Sequence, residues 1–338
     1  MARFFKKLGA TPPTVGALAA TATAAAITAL WVQHRARKAE RDNPPIGRFV
    51  EVDGVRLHYL EKGEGPAVVL LHGNTVLLQD FIGSGLIDRL AVNHRVIAFD
   101  RPGFGYSERP RDRLWTAPAQ AALLQRALVQ IGVEHPVVVG HSWGTLVALG
   151  LAADLPAYVR GLVLISGYYY PTARLDVALT APAALPLLGD VLRYTLSPLT
   201  GRLLLKHTVK TMFWPAPVPD NFFDVMPREM MLRPLQIRAE AEDAAFMAPA
   251  SAQFRRHYAK LTLPVSIFGG AGDKIVDVES HSVRLHRDLP RSTLTVVPGA
   301  GHMVHYALAD EIVDAINLMI VDQSVERHAP AMAIGAAP

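Results

Sequence analysis

The chain contains no cysteine among its 338 residues. A disulfide bond, a thiolate nucleophile and a cysteine-ligated metal ion are therefore excluded, while the redox compartment stays open. The phosphate-binding pattern Gly-x-x-x-x-Gly-Lys-Ser/Thr is absent as well, and no internal repeat is evident. The charge balance does not indicate a nucleic-acid partner, because the net charge is only +4 and much of it lies near the N-terminus.

Apolar residues, by contrast, make up 50% of the chain, which is enough for a substantial core. The length allows one large α/β domain with an insertion, or two ordinary domains. Changes of pattern divide the chain into an N-terminal segment with a linker, a core in two pieces, a helical lid and a disordered tail. The corresponding ranges are 1–45 for the N-terminal segment, 46–167 and 264–321 for the core, 168–263 for the lid and 322–338 for the tail.

The N-terminal segment contains a long stretch without charges, residues 11–33, with basic residues on either side. As a helix rising about 1.5 Å per residue, this stretch just crosses a hydrocarbon core of roughly 30 Å. We expect a single membrane anchor; a cleaved signal peptide and an alanine-rich helical tail are the other interpretations. Because basic residues flank both ends about equally, the side of the membrane stays open.

In the two core segments, short apolar runs alternate with stretches of helical spacing. Asp53-Gly54 separates the first two runs and strongly favours a β-hairpin. The later runs are continuously apolar, which is typical of parallel strands buried on both faces. The later runs are residues 67–71, 95–99, 137–139, 162–165, 264–268 and 294–297, and the helical stretches are residues 118–131, 145–153, 278–288 and 305–321. The sequence therefore predicts the α/β class, with a doubly wound, mostly parallel sheet.

The alternation stops in residues 168–263, where proline, leucine, methionine and aromatic residues are frequent. A structureless loop of this length is implausible in a compact domain, so we expect an inserted helical lid. Its apolar composition favours an uncharged or acyl-bearing substrate. Met226, Met230 and Met231 either line an acyl pocket or pack between helices. One of the tyrosines at residues 168–170 is a candidate for substrate contact.

A serine between two glycines, in Gly140-His141-Ser142-Trp143-Gly144, follows a predicted strand and precedes a predicted helix. A strand, a sharp turn and a helix in this order are the context of a nucleophile elbow. The glycines remove side chains where the two backbones approach, and the N–H groups at the helix start favour a developing anion. Ser142 is therefore the candidate nucleophile; a structural turn serine is the alternative.

A serine hydroxyl needs a base to take its proton and a third group to orient that base. His302 is the candidate base and Asp273 the candidate acid, because each directly follows an apolar strand. The carboxyl ends of parallel strands meet at one edge of a sheet, which brings such residues together. The alternatives are His305, expected in the following helix, and Asp277, which lies further from its strand end.

The backbone N–H groups of Asn74 and Trp143 are the candidates for an oxyanion hole. Asn74 follows a strand and a glycine, and Trp143 follows the candidate nucleophile. His72 and His141 lie beside this site, and we expect packed supports there because no acidic residue is spaced to orient either one. Asp100 is expected to hold its own glycine-rich loop. The thirteen histidines show no convincing ligand cluster, so neither a metal ion nor a cofactor is expected.

Together these motifs resemble the α/β-hydrolase superfamily. More narrowly, they resemble its capped branch, which contains carboxylesterases, carbon–carbon bond hydrolases, cofactor-free haloperoxidases, and epoxide or haloalkane hydrolases. The motifs are His72-Gly73, residues 100–107, Gly140 to Gly144, Gly272-Asp273 and Gly301-His302, within residues 46–321. The resemblance implies an α/β-hydrolase fold and a triad in the chain order Ser142, Asp273, His302. Epoxide hydrolases and haloalkane dehalogenases carry aspartate at the position of Ser142, so the resemblance favours an acyl-enzyme.

The sequence thus favours a membrane-tethered serine hydrolase that cleaves a small-molecule ester, or else a thioester or an amide. A carbon–carbon bond hydrolase, a perhydrolase or haloperoxidase, and an acyltransferase use the same triad and stay open. An alternative of another class is a catalytically silent hydrolase-fold module that binds a ligand or a partner through the lid.

Overall fold

The computed structural model describes residues 14–172 and 181–328. Eight strands of the described chain form one sheet in the order β1-β2-β4-β3-β5-β6-β7-β8. The first two pairings of this order are antiparallel, and all the others are parallel. The predicted mostly parallel sheet is therefore confirmed. The strands are β1 (Arg48–Val52), β2 (Val55–Lys62), β3 (Ala67–Leu71), β4 (Arg95–Phe99), β5 (Val137–His141), β6 (Gly161–Ile165), β7 (Val265–Gly270) and β8 (Ser292–Val297).

Helices lie before, between and after these strands. They are α1 (Val15–Asp42), α2 (Gln79–Gly83), α3 (Leu86–Leu90), α4 (Ala117–Gln130), α5 (Gly144–Asp154), α6 (Leu188–Tyr194), α7 (Leu196–Phe213), α8 (Phe222–Val225), α9 (Arg228–Met231), α10 (Pro234–Phe254), α11 (Arg284–Asp288) and α12 (Ala309–His328). A π-helical turn, Glu279–Val283, precedes α11, and a 3-10 turn, Val304–Tyr306, precedes α12.

The predicted hairpin joins β1 to β2, with Val52 opposite Val55. Asp53 and Gly54 have φ angles of +51° and +71°. Positive φ at both central residues is what a type I′ turn requires, and the twist of this turn matches that of the strands it connects.

The parallel strands form the middle layer of the core. Every residue of β3, β5 and β6 is buried, as the continuous apolar runs predict. Apolar side chains of α4, α5 and α10 pack on one face of the sheet, and those of α2, α3 and α12 pack on the other. The sheet is thus covered by helices on both faces. The loops after β3, β5, β7 and β8 meet outside the carboxyl ends of these parallel strands.

Between β6 and β7, the described residues form the helices α6 to α10 and no strand. We call this segment the insertion. Its methionines at residues 226, 230 and 231 are buried in an apolar cluster that also contains Val76, Leu77 and Phe104 of the core. These methionines therefore pack the insertion onto the sheet domain. Residues 173–180 of the expected lid lie outside the described residues.

The last helix, α12, runs to His328, beyond the end expected at residue 321. The first part of the predicted disordered tail is therefore helical. No proline or glycine occurs between Ala309 and His328, so nothing in the local sequence ends the helix earlier. The rest of the expected tail, from residue 329, lies outside the described residues.

Helix α1 has two unlike halves. Its first half is apolar and largely exposed, and α1 is long and apolar enough to cross a membrane. Its second half contacts the insertion, where Arg35 Nη2 lies 2.8 Å from Glu229 Oε1 and Arg233 Nη1 lies 2.9 Å from Glu40 Oε1. Ala39 is buried in the same apolar cluster as the insertion methionines. Among the described residues, the ion pairs between α1 and the insertion thus all lie in the second half of α1.

Candidate active site

Ser142 lies in the turn between β5 and α5 with a φ of +51°, a conformation that is uncommon for a residue with a side chain. Its N–H donates to the carbonyl oxygen of Ile165 at 2.8 Å, which holds the turn against the next strand. A Cβ atom at Gly140 would lie 2.7 Å from the Gly144 oxygen, and one at Gly144 would lie 2.2 Å from the Leu71 oxygen. The two glycines are therefore needed where strand and helix approach, as the elbow motif predicts.

His302 and Asp273 come from the loops after β8 and β7, and the structure brings them together. His302 Nδ1 lies 2.8 Å from Asp273 Oδ2. The other carboxylate oxygen of Asp273 accepts the N–H groups of Ile275 and Val276 at 2.7 and 2.9 Å. The carboxylate is thus held in place from both sides. With Nδ1 as the donor to Asp273, the Nε2 atom of His302 carries the free lone pair of a neutral imidazole.

Four of the five predicted site residues, Ser142, His302, Asn74 and Trp143, line one cavity of about 190 Å³. The fifth, Asp273, hydrogen-bonds His302. Within the described part of the chain, neither the Asn74 N–H nor the Trp143 N–H donates to a protein acceptor. Both N–H groups are thus unpaired within the described chain, in two residues that line the cavity.

The remaining walls of this cavity come from both the core and the insertion. The core contributes Thr75, Ile275 and Val276, and the insertion contributes Tyr168, Thr208, Met212, Glu240, Ala244 and Met247. Of the three candidate tyrosines only Tyr168 lines the cavity. The apolar insertion side chains that line it are Met212, Ala244 and Met247, not the methionines that the sequence singles out.

Glu240 of α10 is a site residue that sequence reasoning missed. Burial raises the pKa of this carboxyl to about 7, although hydrogen bonds from Gln236 and from the backbone of Thr75 lower the pKa in part. Glu240 thus places a weak acid in the cavity, beside the loop that carries Asn74. Its helical position shows no motif, so only the docking of α10 reveals it.

Asp243, one turn further along α10, is a buried ion-pairing centre. Its carboxylate lies 2.6 Å from Arg101 Nη1 and 3.0 Å from Arg109 Nη1, and it accepts the Gln120 amide at 3.0 Å. Its backbone oxygen accepts the indole N–H of Trp143 at 2.9 Å. The charged side chains are wholly buried, and they join α10 to the residue that follows Ser142.

A second group that sequence reasoning missed lies behind His302. His305 Nε2 lies 3.0 Å from Asp80 Oδ2, and His141 Nδ1 lies 3.6 Å from the same oxygen. The Nε2 atom of His141 hydrogen-bonds the backbone oxygen of His302 at 3.2 Å. Burial lowers the pKa of His141 far below its usual value, and the nearby imidazoles lower it further, so this ring is neutral. His141 therefore supports the loop that carries His302.

This group corrects two expectations. Asp80 lies beside His141, although no acidic residue is near His141 in sequence, because the fold brings α2 close to the end of β5. The potential ligand atoms of Asp80, His141 and His305 lie within 4.8 Å of one another, so histidines do gather around a carboxylate in the described chain. The hydrogen bond between His305 and Asp80 gives this grouping a structural role.

The rival candidates have other partners. His305 lies buried in the turn before α12, not in the helix as expected. Asp277 accepts the Ser280 N–H at 2.8 Å, which fits a helix cap. Asp100 accepts the N–H groups of Leu78 and Tyr106 and hydrogen-bonds His58 at 2.7 Å, which fits the structural role expected for it.

His72 is also placed as a support. Its Nδ1 hydrogen-bonds the Gly73 oxygen at 2.7 Å, and its Nε2 accepts the Arg101 N–H at 3.0 Å. Burial lowers the pKa of His72 to about 3, and the Arg101 guanidinium contributes to this shift. A neutral ring at this position accepts the Arg101 N–H and holds the loop that carries Asn74 to the end of β4.

Comparisons with known proteins agree with this fold. A family model described as alpha/beta hydrolase fold matches residues 66–307. The 2-hydroxymuconate semialdehyde hydrolase of Pseudomonas putida is 37% identical over 147 residues, which cover 41% of this chain and 51% of the relative. Haloalkane dehalogenase 2 of Mycobacterium bovis is 29% identical over 128 residues, covering 38% of this chain and 44% of the relative. The chain thus spans about half or less of the length of these curated relatives.

A solved structure described as a membrane phospholipase A and a bacterial virulence factor has the same fold. Its TM-score is 0.62 at 23% identity, and the match covers 95% of this chain and 99% of that one. The fold, the matched family model and its extent lead to one conclusion: this chain belongs to the alpha/beta hydrolase fold family.

Proposed function

We propose that this protein is a membrane-anchored serine hydrolase that cleaves carboxylic esters through an acyl-enzyme on Ser142. The observation that carries the proposal is the common cavity of Ser142 and His302, with Asp273 bonded 2.8 Å behind the imidazole. A strained serine, a base and an orienting acid are the parts that serine acyl transfer requires.

In the first step, Ser142 Oγ attacks the ester carbonyl carbon while His302 Nε2 takes the hydroxyl proton. The carbonyl oxygen becomes an oxyanion, and the N–H groups of Asn74 and Trp143 receive it. Donors that are already in place cost no reorganisation as the charge develops, and each such donor is worth roughly 3–4 kcal/mol in the transition state. Asp273 stabilises the imidazolium and keeps its ring oriented.

In the second step, the bond to the leaving alcohol breaks and His302 returns the proton to that oxygen. Water then enters, His302 takes one of its protons, and the hydroxide attacks the acyl-enzyme. The acid is released as Ser142 recovers its proton from His302. The apolar walls formed by Met212, Ala244 and Met247 fit an acyl chain better than a charged group.

The membrane part of the proposal rests on α1. A retained anchor is favoured over a cleaved signal peptide, because cleavage within the apolar half would leave the second half as a free chain end. That second half carries Arg35 and Glu40, both paired with the insertion. The Tyr106 hydroxyl donates to the backbone oxygen of Glu40 at 3.0 Å, which adds a hydrogen bond between α1 and the core.

The test is covalent labelling by a fluorophosphonate probe, followed by rates on p-nitrophenyl esters of increasing acyl length. Wild type is expected to be labelled and to hydrolyse the esters, and Ser142→Ala to lose both. Ser166→Ala is the matched control, because Ser166 also follows a strand with a positive φ, of 48°, and is expected to keep both. Labelling of Ser142→Ala would refute the nucleophile, and hydrolysis of these esters excludes the silent module.

A carbon–carbon bond hydrolase is the second candidate, supported by the likeness to the 2-hydroxymuconate semialdehyde hydrolases. Loss of 2-hydroxymuconate semialdehyde absorbance at rates above those for esters would favour this activity. Dehalogenation is not proposed despite the relatives of that name, because Ser142 stands where an alkyl-enzyme needs a carboxylate. Phospholipids belong in the ester panel, since the fold likeness to a membrane phospholipase A spans 95% of this chain.

A further inference from the structure

Large exposed apolar side chains are concentrated in two parts of the described chain. One is the apolar half of α1, where Val15 is 85% exposed and Leu30 is 68% exposed. The other is the start of the insertion, where Leu187 and Leu203 are each 82% exposed. The apolar residues at the start of the insertion are Leu185, Leu187, Leu188, Val191, Leu196, Leu199, Leu203 and Leu204, and we call them the leucine face.

The spacing of the leucine face is that of a helix side meant for burial. Leu196, Leu199 and Leu203 follow one another at three and four residues along α7, which places them on one stripe. In a soluble domain such a stripe packs against the core. Here the core side of α7 is a different one, formed by Leu205, Val209 and Met212, all buried. The leucine stripe is therefore a second apolar side, and it stays partly or largely exposed in the described part of the chain.

The leucine face begins where the apolar half of α1 ends. The guanidinium carbon of Arg202 lies 4.7 Å from the centre of the Trp31 ring. Arg202 also pairs with Glu229, which pairs in turn with Arg35 of α1. Tryptophan and arginine are common at the boundary between lipid tails and headgroups. Leu203 and Leu204, next to Arg202 in the chain, are thus at the level where α1 enters a bilayer.

Exposed basic side chains border the leucine face, and the acidic side chains near it, Asp190 and Glu229, are paired with arginines. Lys206 and Lys210 are exposed on the next turns of α7. On α1, Arg37 and Lys38 follow Trp31 within two turns. Apolar side chains bordered by basic ones match the depth profile of an anionic bilayer, with tails beneath phosphate groups.

We propose that the leucine face is a membrane-contact surface, which lies in the headgroup and upper acyl region of an anionic bilayer beside α1. This inference rests on the membrane attachment proposed above and assigns the insertion a place on the bilayer. It has a consequence for the site, because α7 also carries Thr208 and Met212 into the cavity with Ser142. One helix then contacts lipid at its start and lines the cavity near its end.

The absence of cysteine in the chain allows a clean test. Three full-length single-cysteine variants, Leu203→Cys, Leu18→Cys and Val92→Cys, are labelled with an environment-sensitive nitrobenzoxadiazole dye. Each is reconstituted in vesicles of phosphatidylcholine and phosphatidylglycerol. Quenching by doxyl-labelled lipid is compared with quenching by aqueous iodide. Val92 is the matched control, because it is 76% exposed but precedes β4, at the sheet edge opposite the insertion.

We expect the dye at residues 203 and 18 to be quenched several-fold more by the doxyl lipid than by iodide, and the dye at residue 92 to show the reverse. Iodide quenching at residue 203 with lipid quenching at residue 18 overturns the leucine face while the anchor stands. A dye at residue 203 that neither quencher reaches also overturns it, and indicates that a second copy or another protein covers the face. Iodide quenching at both residue 203 and residue 18 overturns the membrane anchor and the membrane contact of the leucine face together. The proposed role of Ser142 is then still tested separately by fluorophosphonate labelling.

Discussion

The two ends of the insertion are unlike each other, although one segment of chain carries both. Helix α10 is held by a buried carboxylate, Asp243, that pairs with Arg101 and Arg109. Helices α6 and α7 present exposed leucines, and α7 reaches the core through its other side. The comparison shows how one insertion can hold a rigid cavity wall at one end and present an apolar surface at the other.

The physical reason lies in the cost of burying charge. Burying an ion pair costs desolvation free energy, and a buried charge without its partner costs more. The ion pair of Asp243 is therefore compatible with few positions of α10. Exposed apolar side chains pack against whatever covers them, and their contacts have little directional preference. The following predictions test this contrast, from the largest expected effect to the smallest.

Replacing Asp243 by Ala is expected to destabilise the fold most. It leaves the buried guanidinium groups of Arg101 and Arg109 without their carboxylate, which typically costs roughly 3–5 kcal/mol. Thermal unfolding in detergent should show a melting temperature lower by about 10 °C, with loss of ester hydrolysis. Glu242→Gln is the matched control, because Glu242 pairs with Arg109 at 2.7 Å from a partly exposed position. An equal loss for both variants would contradict the central role of Asp243.

Replacing Glu240 by Gln is expected to stabilise the protein by an amount that grows between pH 4.5 and pH 7 and stays constant above pH 7. In the folded protein, burial holds the pKa of Glu240 at about 7, above its ordinary value of 4.5. Between these two pKa values the unfolded chain ionises first, so the stability of wild type falls as pH rises and levels off above pH 7. Across this pH range the free energy of unfolding of wild type falls by up to about 3 kcal/mol.

The measurement for Glu240→Gln is the melting temperature at pH 5 and at pH 8. The melting temperature of the variant should exceed that of wild type at pH 8, and should exceed it by much less at pH 5. A gain that does not change with pH would mean that the carboxyl at residue 240 is not a raised-pKa group.

The contact between Trp31 and Arg202 is expected to couple α1 to α7 weakly. A double-mutant cycle of Trp31→Ala and Arg202→Ala, measured by unfolding in detergent, should give a coupling energy of about 0.5–1 kcal/mol. The cycle removes the separate contribution of Arg202 to Glu229. A coupling energy of zero would mean that the leucine face is not tied to the end of the apolar half of α1.

Leu203→Ser is expected to have the smallest effect on folding, within about 0.5 kcal/mol in detergent, because the side chain is already solvent-exposed. In anionic vesicles the same change should increase the accessibility of α7 to protease. Leu205→Ser is the contrasting variant, because Leu205 is buried on the other side of α7 and its change should lower the melting temperature. If Leu203→Ser destabilises the detergent-solubilised protein as much, the leucine stripe is part of the core.

Much of this molecule is predictable from local sequence. The hairpin at Asp53-Gly54 needs only two residues that accept positive φ, and the buried strands need only continuous apolar runs. The elbow around Ser142 needs two glycines at the approach of strand and helix. The position of α12 was predicted, but its end was placed too early, because helix ends depend on weak signals.

Other features depend on residues that are distant in the sequence. Asp80 and His305 are separated by 225 positions, and Arg101 and Asp243 by 142. The residues near each partner in the sequence do not indicate the other partner. The sequence therefore did not show that Asp80 lies beside His141, or that Glu240 lines the cavity. The rivals His305 and Asp277 were likewise separable from His302 and Asp273 only by their contacts.

The sequence by itself determined the order of strands and helices, the turn that carries Ser142, and the two strand ends that supply Asp273 and His302. It did so because hydrophobic periodicity and turn chemistry act between near neighbours in the chain. Only the tertiary structure decided that Asp243 fixes α10 above Trp143, that Glu240 enters the cavity, and that the leucines of α7 stay outside the core. Those outcomes depend on burial, and burial is set by how the whole chain packs.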